Sequence, residues 1–284
     1  MEGSTMATWL ITGCSTGLGR ALAQRVLEAG HNAVITARNS DTLTELADAY
    51  PDTALSLPLD VQYGDQIASA VDAAQERFGG IDVLVNNAGY GYRAAVEEGE
   101  MDEIKQMFET NYYGAVAMIN AVLPSMRQRG SGMIINISSI GAQRSSAGSG
   151  FYTATKAALE STSESLRQEV EPHGIRVAIV QPGPFRTDFA GRSLHQSAEP
   201  IAAYADTAGR RRKETDTMDG NQPGDPVRAA QAILTLAEAE NPPMRLILGK
   251  EAVKVAEVDL NQQLDDLMDW ESVGLNTDFP AEEA

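Results

Sequence analysis

One cysteine, Cys14, stands in a chain of 284 residues, so no intrachain disulfide can form. A fold that does without disulfides suits a reducing compartment, and a cytoplasmic location is expected. No uninterrupted apolar run approaches the roughly 20 residues that a membrane-spanning helix needs. The first residues also lack the basic-then-apolar pattern of a secretory signal. No membrane partner is therefore expected. Met1-Glu2-Gly3-Ser4-Thr5 reads as an added leader, with Met6 as the natural start. Basic residues are scarce: 22 Lys and Arg face 40 Asp and Glu, for a formal net charge of −18. A nucleic-acid backbone calls for a basic stripe, so nucleic acid is not expected as a partner. Half of the net charge lies in residues 251–284, where ten acids face one lysine. That stretch reads as a solvated extension. His31, His173 and His195 have no ligand spacing, and no metal is expected.

What the chain has is apolar residues, at 43%, in an alternation of strand-like and helix-like stretches. Strands are expected at Thr8–Thr12, Ala33–Ala37, about 54–59, Ile81–Asn86, Gly132–Ser138, Ile175–Gln181 and Arg245–Leu248. Helices are expected at Leu18–Ala29, about 41–49, 64–77, 101–128, Tyr152–Glu171 and 225–239. Runs such as Val34-Ile35, Val83-Leu84-Val85 and Val177–Val180 are apolar without alternation, as in parallel strands buried on both faces. Strands spaced by helices imply βαβ crossovers. The expectation is one α/β domain over residues 1–284, a Rossmann-type doubly wound parallel sheet of about seven strands. Pro182 to Pro226 is irregular and carries the basic run Arg210-Arg211-Arg212-Lys213. A long loop in a compact domain is commonly functional. Residues 184–225 are read as a substrate lid, and the basic run as a solvated helix face.

Gly13, Gly17 and Gly19 stand between the first strand and the first helix. Glycines there permit a tight turn and a close approach of backbone N–H groups to a pyrophosphate. The helix N-terminus adds positive potential. The end of the second strand is where an acid would bind the adenosine ribose and repel a 2′-phosphate. Here the sequence is Thr36-Ala37-Arg38. An arginine in place of an acid suits a phosphate by charge and by its forked geometry, which favours NADP(H). Arg20 is a second, weaker candidate. Cys14, within the turn, reads as a small residue.

Reducing a carbonyl needs a proton donor and a group that polarises the oxygen. Tyr152 and Lys156 are four apart and share one helical face. A free tyrosine titrates near pH ~10, and a nearby ammonium favours its phenolate. Ser139, just past a strand, can donate its hydroxyl to the substrate oxygen.

Together these motifs resemble those of the classical short-chain dehydrogenases/reductases, over almost the whole chain. Thr12–Gly19 matches that family's TGxxxGxG, Asn86-Asn87-Ala88-Gly89 its NNAG, and Tyr152–Lys156 its YxxxK. Ser139 lies thirteen residues before Tyr152; Ser138 is the neighbouring alternative. The resemblance implies that Tyr152 is the acid/base and that Lys156 lowers its pKa and binds the nicotinamide ribose. It also implies that Ser139 orients the carbonyl and that Asn111 holds a water in the proton relay. Asp60 is then the adenine contact, and Pro182, Gly183 and Thr187 meet the nicotinamide carboxamide. Ser15, Thr16, Leu18, Val61, Asn87, Ala88 and Gly89 complete the implied cofactor contacts. The opening Ile11–Ser15 and the length beyond Leu248 are closer to the branch similar to 17β-hydroxysteroid dehydrogenases. A homodimer is expected, with a tetramer as the other possibility.

The substrate wall is read as Gly91, Tyr92, Arg93, residues 140–150 and the loop from Pro184, with Phe185, Phe189 and Leu194 as an apolar lid. A small-molecule ketone, aldehyde or secondary alcohol of mostly apolar character is expected, with Arg93 and Arg144 solvated. The alternative reading is an NADP(H)-binding sensor or scaffold without turnover. Retention of Asn111, Ser139, Tyr152 and Lys156 argues against it.

Overall fold

In the computed structural model, residues 6–189, 191–218 and 220–279 are described. Residues 1–5, read above as an added leader, and 280–284 lie outside them. The elements in chain order are β1 (Thr8–Ile11), α1 (Gly17–Glu28), β2 (Asn32–Ala37), α2 (Thr44–Ala49), β3 (Ala54–Pro58), α3 (Gly64–Phe78), β4 (Val83–Asn86) and β5 (Gly91–Arg93). They continue with α4 (Met101–Phe108), α5 (Gly114–Arg129), β6 (Gly132–Ile137), α6 (Ile140–Gln143), α7 (Gly150–Val170), β7 (Ile175–Pro182) and β8 (Leu194–Gln196). The last are α8 (Ala208–Met218), α9 (Pro226–Glu238), β9 (Arg245–Leu248) and α10 (Lys250–Leu275).

Seven strands form one parallel sheet in the order β3-β2-β1-β4-β6-β7-β9. The strand order reverses between β1 and β4, and the crevice at such a switch point is where ligands bind in open α/β sheets. Adjacent residues of each central strand enter opposite cores, which explains why the strands lack alternation. Trp9, Ile11, Ile35, Val85 and Ile135 pack on one side with α1 and α9. Leu10, Val34, Leu84 and Ile134 pack on the other with Met118, Val122 and Leu166.

Three regions differ from the sequence expectation. The helix expected over 101–128 is interrupted by a wider π turn at Glu109–Tyr113, between α4 and α5. Single π turns inside α-helices are frequent at functional sites, and this one carries Asn111. Within the lid, β8 pairs with β5 as a second small sheet, and α8 follows. The acidic extension is a 26-residue helix, α10, docked through Ala252 and Ala256 near its start. Apart from Asp259, its described acids are exposed as expected, and Leu264, Leu267 and Trp270 are exposed as well.

Candidate active site

The switch-point crevice opens into a cavity of about 1390 Å³ that runs from the β1–α1 turn to the lid. Apart from the weaker candidate Arg20, every residue read as catalytic or as a cofactor contact lines it except Gly19 and Asn111.

The turn after β1 is fastened to the segment after β4. Thr12 Oγ1 accepts from the backbone N–H groups of Asn87 and Ala88 at 3.0 and 2.9 Å. Asn87 Nδ2 donates back to the carbonyls of Thr12 and Gly13 at 2.8 and 3.0 Å. Gly13 has a positive φ of 73°, a conformation that disfavours any side chain. A Cβ on Gly19 would lie 2.4 Å from both Gly13 O and Asn87 Nδ2. Helix, turn and NNAG segment therefore close on one another only with glycine at that position. The cradle fits a dinucleotide: its surface is backbone and small side chains, Ser15 and Thr16 line it, and α1 begins at Gly17. Cys14 is fully buried, its thiol donates to Ile11 O at 3.2 Å, and burial pushes its pKa up to about 12. It is an inert small residue.

Arg38 leaves the end of β2 exposed on the cavity wall, with no hydrogen bond or ion pair to any described residue. Arg20 is engaged elsewhere, with Thr42 O at 3.0 Å and Glu45 at 2.9 Å. Asp60 accepts from Gln62 N at 3.1 Å and shapes the turn after β3.

At the reacting end, Tyr152 and Lys156 sit on one face of α7, both buried. Ser139 lines the same cavity wall as Tyr152, and its Oγ accepts from Gly141 N at 3.0 Å. Burial raises the Tyr152 pKa, while the Ser139 hydroxyl and then the Arg93 guanidinium pull it down. Lys156 Nζ donates to Ile137 O at 2.9 Å. Burial lowers its pKa to about 8, opposed by Glu160. A Cβ on Gly89 would lie 2.9 Å from Asn111 Oδ1 and 3.4 Å from Lys156 Nζ, so these side chains meet beneath the NNAG segment. Asn111 is buried and clamps Tyr90: Nδ2 donates to Tyr90 O at 2.9 Å, and Oδ1 accepts from Tyr90 N at 3.0 Å. Its Nδ2 also reaches Thr155 Oγ1 at 3.1 Å. Ser138, the alternative to Ser139, turns away to donate to Glu160.

Sequence reasoning missed Glu160. It follows Lys156 by four residues on the Tyr152 face of α7, a spacing that could have exposed it. Buried, it accepts from Ser138, from Gln181 at 2.9 and 3.0 Å, and from Arg245 at 3.2 Å. It thereby ties the ends of β6 and β7 to β9 behind the lysine.

The lid also departs from expectation. Gly91 and Tyr92 do not line the cavity; Tyr92 is core, packed 6.4 Å centroid to centroid from Phe151. Its hydroxyl accepts from Glu100 N at 3.2 Å. The basic run is not one solvated face. Arg212 is buried in an ion pair with Glu98 and donates to Ser197 Oγ at 3.0 Å. Arg210 and Arg211 line the cavity, and only Lys213 of the four is simply exposed. Burial works against the Glu98 charge, but the N–H groups of Ala95 and Ile201, Arg212 and Ser197 together hold its pKa below the usual range. Arg93 is partly buried rather than solvated, whereas Arg144 is exposed. Phe185, Phe189 and Leu194 line the cavity as expected. No cluster of three or more potential metal ligands occurs among the described residues, and no helix there is long and apolar enough to cross a membrane.

A parallel sheet with a dinucleotide cradle at its switch point, and a Tyr–Lys helix beside it, defines a nucleotide-dependent oxidoreductase. The short chain dehydrogenase family model matches residues 7–198, and the chain belongs to that family. A short-chain dehydrogenase from Streptomyces avermitilis superposes with a TM-score of 0.91 at 43% identity, covering 97% of this chain and 100% of its own. An alcohol dehydrogenase from Thermococcus sibiricus, solved with 5-hydroxy-NADP, gives 0.71 at 26% identity over 86% of this chain and 96% of its own. A 3-ketoacyl-(acyl-carrier-protein) reductase from Brucella melitensis, solved with NADH, gives 0.72 at 26% identity over 85% and 96%.

Proposed function

We propose that this chain is an NADP(H)-dependent oxidoreductase that interconverts a ketone or aldehyde with its alcohol, using Tyr152 as the acid/base. The observation that carries the reading is Tyr152, buried on the face of α7 that bears Lys156 and sharing with Ser139 the wall of the cavity that also holds the glycine cradle. A bound nicotinamide supplies or accepts the hydride. In the reducing direction Tyr152 gives its proton to the carbonyl oxygen. Ser139 Oγ, already an acceptor for Gly141 N, keeps its own proton to offer that oxygen. Asn111 fixes the backbone of Tyr90 beside the lysine, and Lys156 stands where the nicotinamide ribose would pass in this family. The preference for NADP(H) rests on Arg38, a guanidinium with no hydrogen bond or ion pair among the described residues, at the position where an acid would favour NAD(H).

The test is NADPH consumption across ketones, aldehydes, quinones and oxo-acids, with Tyr152→Phe as the blank. The variant should lose at least about 100-fold in turnover while still binding NADPH. Substantial residual turnover would move the acid elsewhere. Tight NADPH binding with no turnover in either direction would favour a sensor. Arg38→Asp should weaken NADPH far more than NADH, and equal losses would remove Arg38 from the 2′-phosphate.

A further inference from the structure

The reacting end of the cavity holds a concentration of positive charge that the reading above does not use. Arg93 ends β5 and is held by a short hydrogen bond from Nη1 to Ser149 Oγ. Ser149 in turn bonds Ser146 Oγ at 3.2 Å. Arg93 Nε is buried and finds no hydrogen-bond partner among the described residues. No carboxylate pairs with Arg93 among the described residues. From the lid, Arg211 of α8 lines the same cavity and is close enough to repel the Arg93 charge. Arg210 lines it too. Glu214 on the same helix engages both lid arginines, at 3.8 and 3.5 Å. Arg93, Arg210 and Arg211 thus line one cavity. In a chain of net charge −18, this placement runs against the overall composition.

Bringing two guanidiniums together in a partly buried cavity is unfavourable unless something offsets it. The guanidinium fork suits a carboxylate, whose two oxygens accept parallel N–H bonds. The catalytic hydroxyl is near: the Arg93 guanidinium and Tyr152 act on each other electrostatically. We propose that Arg93 and Arg211 form the two jaws of an anion subsite, and that the carbonyl or alcohol turned over at Tyr152 carries a carboxylate. The substrate class is then an oxo-acid or hydroxy-acid. The apolar residues Phe189 and Leu194 flank its carbon chain. The inference rests on the oxidoreductase reading for its chemistry, but the subsite can be tested by binding alone.

The first arm measures binding to the NADP⁺ complex by calorimetry, using butyrate and its neutral counterpart butyramide. Wild type should bind butyrate at least about 10-fold more tightly, as charge-assisted hydrogen bonds allow. Arg93→Gln and Arg211→Gln should each remove most of that preference. Equal binding of acid and amide, or no binding of butyrate, overturns the subsite whether or not any turnover is found. Stronger competition by inorganic phosphate than by butyrate overturns the carboxylate assignment. The second arm follows NADPH oxidation with acetoacetate, 2-oxobutyrate and levulinate beside their methyl esters. The acids should lead in kcat/KM by about 10-fold or more, and the acid-to-ester ratio should collapse in both variants. Esters that match or exceed the acids overturn the proposal and leave the reductase reading intact. Butyrate binding without turnover of any carbonyl overturns the reductase reading and leaves the subsite intact. Arg211→Gln, on the lid, keeps the test decisive should Arg93→Gln fail to fold.

Discussion

The cofactor platform and the lid are built by different physics. The platform, from β1 to β7, is held by parallel strand pairing and by two apolar cores. Its functional contacts are made by backbone and small side chains close to strand ends. The lid, from Pro184 to α8, adds only the three residues of β8 to a two-stranded sheet. It is fastened by polar side chains reaching across the chain: Arg212 to Glu98, Glu98 to Ile201 N at 2.8 Å, and Glu100 to Ala198 N at 2.9 Å. A platform built this way is rigid and generic. A lid built this way can specify a substrate, and it depends on a few ion pairs.

The sharpest way to break the comparison is Glu98→Gln. It leaves the Arg212 guanidinium buried without its counter-charge, a change that typically destabilises by about 3–5 kcal/mol. The damage should stay local. Limited proteolysis should open within residues 184–218, as expected for the least stable unit of a fold. NADPH affinity should hold to within about 3-fold, a loss of well under 1 kcal/mol. A cooperative loss of the whole domain would mean that the lid and the platform are one unit.

Lys156 tests the platform through pH. Its folded-state pKa of about 8 lies below the unfolded value near 10.4. Between those values the unfolded chain binds more protons than the folded one, so stability rises with pH across that window. Below pH 8 the burial penalty is present in full. Lys156→Met has no charge to bury. Its stability relative to wild type should therefore be greater at pH 7 than at pH 10, by about 2.5 kcal/mol. A difference that does not change with pH would show that the ammonium is not penalised.

The same contrast decides what could be read in the sequence. Gly13 and Gly19 were legible because their work is local, a positive φ and a close approach, whereas the NNAG segment was legible only through the family resemblance. The seven strands were legible because burial on both faces leaves unbroken apolar runs. Glu98 and Arg212 were not, since positions 114 apart in sequence carry no sign of the pairing. The basic run looked like one solvated face because charge in sequence does not say which side of α8 meets the cavity. The π turn at Asn111 was also hidden, because helical periodicity barely registers one extra residue. Ile81 lies outside β4 although it is apolar, for burial alone does not extend a strand.

A smaller effect is expected at the cradle. In Gly19→Ala the new methyl meets Gly13 O and Asn87 Nδ2 at 2.4 Å, so α1 must move away from the turn. NADPH affinity should fall by about 10–100-fold, or roughly 1.4–2.7 kcal/mol. The protein should stay folded, because the sheet cores lie elsewhere. Unchanged affinity would mean that the cradle tolerates a displaced helix and that the dinucleotide is held mainly by side chains.

The smallest effect is expected at the end of α10, the one long helix that belongs to neither region. Its first turns are fixed by Ala252, Ala256 and the Gln143–Asp259 hydrogen bond at 2.8 Å. Beyond that the helix leaves the domain: Leu264 is 53% exposed, Leu267 65% and Trp270 69%. Deleting residues 264–284 removes no buried side chain among the described residues. It should change stability by less than about 1 kcal/mol, a shift of no more than roughly 2–4 °C in Tm. Leu260, Leu264 and Leu267 nevertheless lie along one face of the helix. A fall in Tm well beyond that range, deepening as the protein is diluted, would mean that a second copy covers this face in solution. A truncated protein with the Tm of the full chain at every concentration would leave the domain complete at the first turns of α10, and the homodimer expectation would have to find another surface.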